Sequence, residues 1–315
     1  MSLKSLSLAL LAGLAITPAY AADRTVETIN GTVTIPEAPQ RIVVLNSALA
    51  GSVYVLGFDV LAVGRSARAT TEEGYSSVWA EQARKSGSTV VDFTDNGYNM
   101  EEILGLEPDL IIGGGQGFPG HLTTQAYDQL SAIAPTVLVD RAINTWQGEI
   151  AYLSDVLDRK DEADAAVATY EARVAEVKAA ITLPPQPTVF LLPLEVGAPP
   201  YFLPEGSATP QLFAEVGFEP DKLTERLPDF AAYGTGDSVE VGMERVSDVL
   251  TAPTMIVVPW DAEGTKVADL AGDPITGKLP AIVSGQAYDF PDYAYRFDYY
   301  GALATLDQIE QTFAK

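Results

Sequence analysis

Apolar and polar residues alternate with a helical period over residues 160–182. Apolar positions recur at spacings of three and four with charged residues between them, which is typical of an amphipathic helix. This stripe consists of Ala163, Ala166, Val167, Tyr170, Val174, Val177 and Ile181. The segment Leu183-Pro184-Pro185 predicts the end of the helix, because proline cannot continue a helix and restricts the residue before it.

The chain on either side of this helix carries the same order of signals twice. Each half opens with an apolar run that predicts a buried strand, followed by a helix that closes at Gly57 or Gly217 and by a second apolar run. The four runs are 42–45, 110–112, 189–192 and 255–258. We therefore predict an α/β fold of two Rossmann-like lobes joined by a single long α-helix. The predicted divisions are an N-terminal lobe at 23–145, a connecting helical segment at 146–183 and a C-terminal lobe at 184–315.

Residues 1–22 have the pattern of a secretory signal peptide. Lys4 supplies a positive start, an apolar core follows, and Ala19-Tyr20-Ala21 is a small-x-small cleavage site. We predict cleavage near Ala21 and export to the periplasm of a Gram-negative cell. The chain has no cysteine, so the sequence predicts neither a lipid anchor nor a disulfide.

Charge narrows the classes of partner. The chain has 43 acidic and 19 basic residues and a formal net charge of −24, which argues against nucleic acid and anionic lipid as partners. The acidic residues are dispersed, as on a solvated surface, and lack the closely spaced acidic loop that calcium sites use.

Loops placed just after the predicted strands define a candidate cleft. Asn46 follows the first strand, a glycine-rich run at 113–120 follows the second, and Trp260 follows the last. In open α/β sheets ligands lie outside the carboxyl ends of the strands, so we expect these loops to face one another across a cleft. The glycine run lacks the Gly-Lys-Ser/Thr of a phosphate-binding loop.

Few residues are available for covalent or metal chemistry. The chain has one histidine, His121, which makes a catalytic triad or a zinc site a poor interpretation. We predict no enzyme activity, no catalytic residue and no resident metal or cofactor. An exported hydrolase that uses two carboxylates stays open as the enzyme alternative, because acidic residues are abundant.

Glu101 and Glu244 occupy equivalent positions in the two halves. Each follows a methionine at the predicted start of a helix, where an acid also complements the helix dipole. Two such sites on one rigid body indicate contacts with a two-fold-related partner that presents arginines.

Several segments of the chain resemble the periplasmic ferric-siderophore binding proteins of ABC importers, and within that family the enterobactin-binding members. The segments are Pro39-Gln40-Arg41-Ile42-Val43, the run 127–136 (YDQLSAIAPT), Leu183-Pro184-Pro185-Gln186-Pro187 and Arg296-Phe297-Asp298-Tyr299-Tyr300. The resemblance implies two lobes bridged by one long helix, with iron bound only through its chelator.

The resemblance also implies residue roles. Arg68 and Arg296 match cleft arginines, Trp260 falls at an aromatic cleft position, and Glu101 and Glu244 match glutamates that dock on an inner-membrane ABC permease dimer. The family's Leu-Trp-Thr-Pro segment is replaced here by Phe202-Leu203-Pro204, so Tyr201 or Phe202 is expected to substitute for the tryptophan.

These features predict a monomeric binding protein for a ferric siderophore of the catecholate type. Arginine pairs with catecholate oxygens and stacks on aromatic rings, while tryptophan and tyrosine supply flat apolar area. The expected ligand contacts are Asn46, Arg68, Tyr201, Phe202, Trp260 and Arg296. A hydroxamate siderophore, haem or cobalamin in the same transport role is the alternative.

Overall fold

The computed structural model describes residues 23–66, 68, 70–227, 238–295 and 297–315. The predicted signal peptide at 1–22 lies outside these residues. Within the described ranges, no helix has both the length and the apolar character that a membrane span requires.

The elements alternate along the chain as the repeated signals predict. The described strands are β1 (Asp23–Thr28), β2 (Gly31–Pro36), β3 (Ile42–Val44), β4 (Val60–Gly64), β5 (Thr89–Val91), β6 (Phe93–Thr94), β7 (Gly97–Tyr98), β8 (Leu110–Gly114), β9 (Thr136–Val139), β10 (Thr188–Leu192), β11 (Tyr201–Phe202), β12 (Val239–Glu240), β13 (Thr254–Val257) and β14 (Ala287–Asp289). The described α-helices are α1 (Ser47–Val55), α2 (Ala80–Ser86), α3 (Met100–Gly105), α4 (Gly117–Gln125), α5 (Tyr127–Ser131), α6 (Trp146–Leu157), α7 (Lys160–Ala180), α8 (Ala208–Glu215), α9 (Leu223–Arg226), α10 (Val246–Val249), α11 (Val267–Gly272), α12 (Pro280–Val283) and α13 (Tyr299–Phe313). Short 3-10 helices lie at Thr276–Lys278 and Asp292–Ala294.

Two five-stranded sheets form the two lobes. The first has the order β5-β4-β3-β8-β9 and is parallel throughout. The second has the order β12-β11-β10-β13-β14, in which β10, β13 and β14 are parallel and β11 and β12 form an antiparallel edge. All four predicted apolar runs become central strands with every residue buried, as expected where helices cover both faces of a parallel sheet. The predicted fold class is confirmed.

The predicted long helix is present as α7, between the two sheets along the chain. Four residues of its predicted stripe are buried, namely Ala163, Ala166, Tyr170 and Val177, whereas Val167 and Val174 are half-buried. The helix ends at Ala180, two residues before the predicted end. Ile181 instead forms a bridge with Ala314, and the Thr182 N–H donates to the Phe313 carbonyl at 2.8 Å. Pairing with residues 313 and 314 thus replaces the hydrogen bonds that a further turn of α7 would make.

The two predicted glycine stops are also confirmed. Gly57 and Gly217 have φ of +85° and +110°, a conformation that favours glycine. In each case the following phenylalanine N–H donates back to the helix, from Phe58 to the Val53 carbonyl at 3.4 Å and from Phe218 to the Phe213 carbonyl at 3.1 Å.

Helix α13 ties the two lobes together. It packs against α1 and α6, which follow strands of the first sheet, and against the connecting helix α7. One apolar cluster runs from Ile42 and Leu49 through Tyr170 on α7 to Phe213 and Ile256 of the second half. A continuous buried core of this kind favours a small hinge motion over wide separation of the lobes.

Candidate functional site: a cleft at the strand ends

One cavity lies where the carboxyl ends of both sheets face each other. It has a volume of about 280 Å³. Asn46 follows β3, Arg68 follows β4 and Phe118 follows β8, while Trp260 follows β13 and Phe297 follows β14. The side chains that line this cavity, which we call the cleft, therefore come from both lobes. This is the edge at which open α/β sheets bind ligands.

Three helix N-termini converge on the cleft. The lining includes Asn46 to Ala48 at the start of α1, Gln116 to Pro119 at the start of α4, and Asp298 and Gly301 at the start of α13. The first backbone N–H groups of a helix have no partner within the helix and carry partial positive charge. Asn46 and Asp298 cap α1 and α13 with their side chains, whereas Gln116 makes no side-chain cap on α4. The convergence makes the cleft attractive to an anion.

Asn46 fixes the relative position of two of these helices. Its side-chain oxygen accepts from the Ala48 N–H at 3.1 Å, and its amide donates to the carbonyls of Gly114 at 2.7 Å and Gln116 at 3.0 Å. The residue is buried. Asn46 therefore lines the cleft, as expected from the sequence, but its described hydrogen bonds give it a positioning role between α1 and α4.

The backbone conformation before α4 requires glycine at several positions. Gly114, Gly115 and Gly117 have φ of +75°, +73° and +83°, which side chains rarely tolerate. A Cβ on Gly114 would also overlap the Val139 carbonyl of the neighbouring strand. The run therefore turns the chain sharply from β8 into the N-terminus of α4 at the cleft.

Arg68 crosses from the first lobe to the second. Its Nη1 donates to the Trp260 carbonyl at 3.0 Å. The guanidinium carbon lies 4.2 Å from the centroid of the Trp260 ring and 4.3 Å from that of Tyr295. A guanidinium in this position can turn toward an anion in the cleft while it keeps its aromatic stacking.

Aromatic side chains supply most of the remaining wall. Phe93, Phe118, Trp260, Tyr293 and Phe297 all line the cleft. Phe118 on the first lobe is 46% exposed and Trp260 on the second is 43% exposed, which are high values for such large apolar side chains. Exposed apolar area at the rim of a cavity marks a surface that a ligand covers.

Asp298 is the one carboxylate among the described residues that line the cleft. It is buried, and its Oδ1 accepts from the Gly301 N–H at 2.9 Å at the start of α13. Burial raises the pKa of Asp298 to about 6, against the backbone N–H groups that lower it. Burial, and then the charge of Asp298, raise the pKa of the neighbouring Glu149 well above its usual value. Both buried acids therefore hold their protons to higher pH than exposed acids do.

Tyr201 and Phe202 do not line the cleft, which corrects the expectation that one of them replaces the family tryptophan. They form the short strand β11, where successive side chains point to opposite faces. Phe202 is fully buried in the apolar cluster of the second lobe. The Tyr201 hydroxyl donates to the Glu240 carboxylate at 2.7 Å on the adjacent edge strand. Arg296 lies outside the described residues.

Glu101 and Glu244 are both exposed, one on each lobe. Glu101 lies in the first turn of α3, whose N-cap Asn99 accepts from the Glu101 and Glu102 N–H groups. Glu244 lies in a turn that precedes α10, which begins at Val246. The predicted helix thus starts two residues later than expected, and the equivalence of the two glutamates is one of position along the chain, not of helix geometry.

Sequence reasoning missed much of the aromatic wall. Phe118 carried a signal, since it lies within the glycine-rich run already placed at the strand ends. Phe297 also carried one, since it lies in the segment Arg296-Phe297-Asp298-Tyr299-Tyr300 that resembles the siderophore-binding family. Phe93 and Tyr293 carried none, because they lie in short segments whose meeting depends on the packing of distant elements. Among the described residues, no group of three or more His, Cys, Asp or Glu side chains is arranged to hold a metal ion.

Comparison with known proteins assigns this architecture to a family. The family model for the periplasmic binding protein matches residues 42–294. The ferric enterobactin-binding periplasmic protein FepB of Escherichia coli O6:H1 is 27% identical over 309 residues, covering 96% of this chain and 95% of that protein. The iron(3+)-hydroxamate-binding protein FhuD of Bacillus subtilis is 25% identical over 275 residues, covering 85% of this chain and 79% of that protein.

Solved structures agree on the fold. The structure of holo-ViuP superimposes with a TM-score of 0.78 at 22% identity, covering 93% of this chain and 95% of that chain. The complex of PiaA from Streptococcus pneumoniae with ferrichrome gives a TM-score of 0.71 at 18% identity, covering 91% and 96% respectively. Both likenesses extend over both lobes.

Proposed function

Because the chain belongs to the periplasmic binding protein family, we propose that it captures a ferric siderophore in the cleft and delivers it to an ABC importer of the inner membrane. The ligand we propose is a catecholate complex of the enterobactin type. One observation carries this choice: three helix N-termini and Arg68 meet in a cleft whose walls are largely aromatic.

The chemistry of the ligand matches these two properties. A ferric tris-catecholate is a compact anion whose surface consists of aromatic rings. Helix N-termini and the Arg68 guanidinium stabilise the negative oxygens. Phe118, Trp260 and Tyr293 offer ring faces and edges to the catechol rings. A hydroxamate complex carries less negative charge and no aromatic ring, so it would make full use of neither the helix N-termini and Arg68 nor the aromatic walls.

The net charge of −24 opposes this ligand only at long range. Charges separated by more than about 8 Å are largely screened at physiological salt. Within the cleft, Asp298 is the one described carboxylate, and its oxygen is directed to a backbone N–H. The local field of the cleft therefore combines three helix ends and Arg68 with the single carboxylate of Asp298.

The relatives support the siderophore class and leave its chemistry to be proposed. The name of one relative specifies ferric enterobactin, and that of another specifies an iron hydroxamate. The aromatic, anion-attracting cleft of this chain favours the first kind. The carboxylate-dependent hydrolase gains no support at the cleft, since that chemistry needs a pair of carboxylates and Asp298 is alone among the described lining.

Binding requires a modest opening of the lobes. The cleft volume of 280 Å³ lies just below the range of about 300–1,000 Å³ for ligand pockets. Separation of Arg68 from Trp260 would enlarge the cleft without disturbing the shared core beneath it. A small hinge is thus sufficient for entry.

Delivery completes the proposed role. We propose that the exported protein acts as a monomer in the periplasm, without a lipid anchor, after cleavage near Ala21. Glu101 and Glu244 would then contact arginines on the two halves of the permease dimer, which places the cleft over the translocation path.

Equilibrium dialysis with iron-55 tests the proposal. The protein is dialysed separately against the iron-55 complexes of enterobactin and of ferrichrome, with the unlabelled form of each complex as competitor. We expect saturable retention of iron with ferric enterobactin at sub-micromolar concentration and much weaker retention with ferrichrome. Retention with ferrichrome alone would overturn the catecholate assignment, and absence of retention with either complex would overturn the siderophore class.

A further inference from the structure

A second cavity lies beside the connecting helix, away from the strand ends. Its volume is about 230 Å³, and Trp146 of α6, Tyr170 of α7, and Leu212 and Glu215 of α8 line it. We call it the α6–α8 cavity. Phe297 is the one described residue that it shares with the lining of the cleft. The two cavities are therefore neighbours with separate walls.

The inner wall is aromatic and buried, and it contains a hydrogen-bond donor without a partner. Trp146 and Tyr170 are 2% and 3% exposed, and their ring centroids lie 4.9 Å apart in an edge-to-face arrangement. The Trp146 indole Nε1 is buried and has no hydrogen-bond partner among the described residues. A buried donor without a partner is costly, so a ligand that offers an acceptor oxygen here gains binding energy.

The outer wall carries one formal charge. Glu215 is exposed, and its Oε2 accepts from the Tyr170 hydroxyl at 2.6 Å, which holds the carboxylate beside the aromatic rings. It is the one charged side chain among the described residues that line this cavity. A carboxylate has acceptor sites for more than one partner, so the contact with Tyr170 leaves it able to neutralise a cation.

From these groups we propose that the α6–α8 cavity binds a small organic ammonium ion that bears a hydroxyl group. Aromatic rings attract a cation with an apolar surface, and Glu215 supplies the opposite charge. The hydroxyl oxygen would accept from the Trp146 indole N–H. The size is suitable, since a cavity of about 150 Å³ already holds benzene.

Choline is the probe, and its neutral carbon isostere, 3,3-dimethylbutan-1-ol, is the control for charge. The protein is labelled with nitrogen-15 at its three tryptophans, and the indole N–H resonances are followed during titration. The Trp146 resonance is identified by its absence in Trp146→Phe. We expect a saturable shift of this resonance with choline and an affinity about tenfold or more lower for the isostere, as the loss of cation–π and ionic contacts implies.

Two variants of equal charge separate a site from a general charge effect. Glu215→Gln should reduce choline affinity about tenfold and leave the isostere unchanged, whereas Glu219→Gln, which removes an exposed carboxylate outside the lining, should retain wild-type affinity. No saturable shift with choline, equal affinity for the isostere, or equal loss in both variants would overturn the proposal. The readout does not involve iron or the cleft, so its result tests the α6–α8 cavity independently of the proposed transport role.

Discussion

Arg68 and Trp260 join the two lobes across the mouth of the cleft. The Arg68 guanidinium donates to the Trp260 carbonyl at 3.0 Å and lies 4.2 Å from the centre of its ring. The same two residues belong to the cleft lining, so the contact that closes the lobes uses groups that a ligand would engage. An anionic aromatic ligand would replace the carbonyl as hydrogen-bond acceptor and add its own rings to the stack.

Substitution of Arg68 should weaken ligand binding, and the loss should be larger for alanine than for lysine. Arg68→Ala removes charge and stacking, and we expect a loss of about 1.5–3 kcal/mol in binding ferric enterobactin, the range for hydrogen bonds to charged groups. Arg68→Lys keeps the charge but loses the planar group, so its loss should be intermediate. Arg65→Ala is the matched control, because Arg65 pairs with Asp92 outside the cleft. Calorimetric titration would contradict this account if Arg65→Ala and Arg68→Ala lost affinity equally.

Phe118 should discriminate between aromatic and non-aromatic ligands. Phe118→Ala removes an exposed ring from the cleft wall, and we expect a loss of about tenfold for ferric enterobactin, consistent with an aromatic contact of about 0.5–1.5 kcal/mol. The loss for ferrichrome should be smaller. Ile29→Ala, at a half-exposed apolar residue outside the cleft lining, should bind as the wild type does. Equal losses of affinity for both siderophores would show that Phe118 does not discriminate between aromatic and non-aromatic ligands.

The buried pair of Glu149 and Asp298 should make stability fall as pH rises. Burial holds the pKa of Asp298 near 6 and that of Glu149 well above its usual range, whereas in the unfolded chain the two lie near 3.8 and 4.5. The unfolded chain therefore releases these protons first as pH rises, and the free energy of unfolding decreases from about pH 4 through pH 6 and beyond.

Glu149→Gln tests this source of pH dependence. We expect little change in the free energy of unfolding at pH 4 and a gain of roughly 1–3 kcal/mol at pH 8, the scale of an uncompensated buried polar group. Urea unfolding at several pH values would measure it. Glu171→Gln, at an exposed position on α7, should follow the wild-type curve. A Glu149→Gln curve parallel to the wild type would show that the pair does not set the slope.

Replacing Glu101 and Glu244 together by alanine should separate binding from delivery. Both side chains lie outside the cleft lining, so affinity for ferric enterobactin should be unchanged. Uptake by a reconstituted importer should be abolished if arginine contacts on both permease halves are lost. Glu102→Ala with Asp248→Ala removes two neighbouring exposed carboxylates and should retain uptake. Loss of affinity in the first double variant would contradict the docking role.

The sequence predicted the central framework because its signals are local. Short continuous apolar runs bounded by turn residues are typical of buried strands of a parallel sheet, and Gly57 and Gly217 fix helix ends through their own backbone conformation. The end of α7 was missed because Ile181 pairs with Ala314, a residue far along the chain. Local proline signals could not reveal that competition.

The site was predictable only in part for the same reason. Asn46 and Trp260 follow predicted strands and Arg68 was placed by the family resemblance, and the structure brings all three to one cleft. Phe202 was misplaced because the face of a two-residue strand depends on pairing with β10 and β12. The convergence of α1, α4 and α13, which gives the cleft its charge preference, arises from the topology of both lobes.

The position of the iron atom tests the central claim most directly. Crystals of the protein with ferric enterobactin, measured at the iron absorption edge, would locate it by anomalous scattering. We predict a single strong peak within the cleft, bordered by Arg68, Trp260 and the N-termini of α1, α4 and α13. A peak at any other place on the protein would contradict the account.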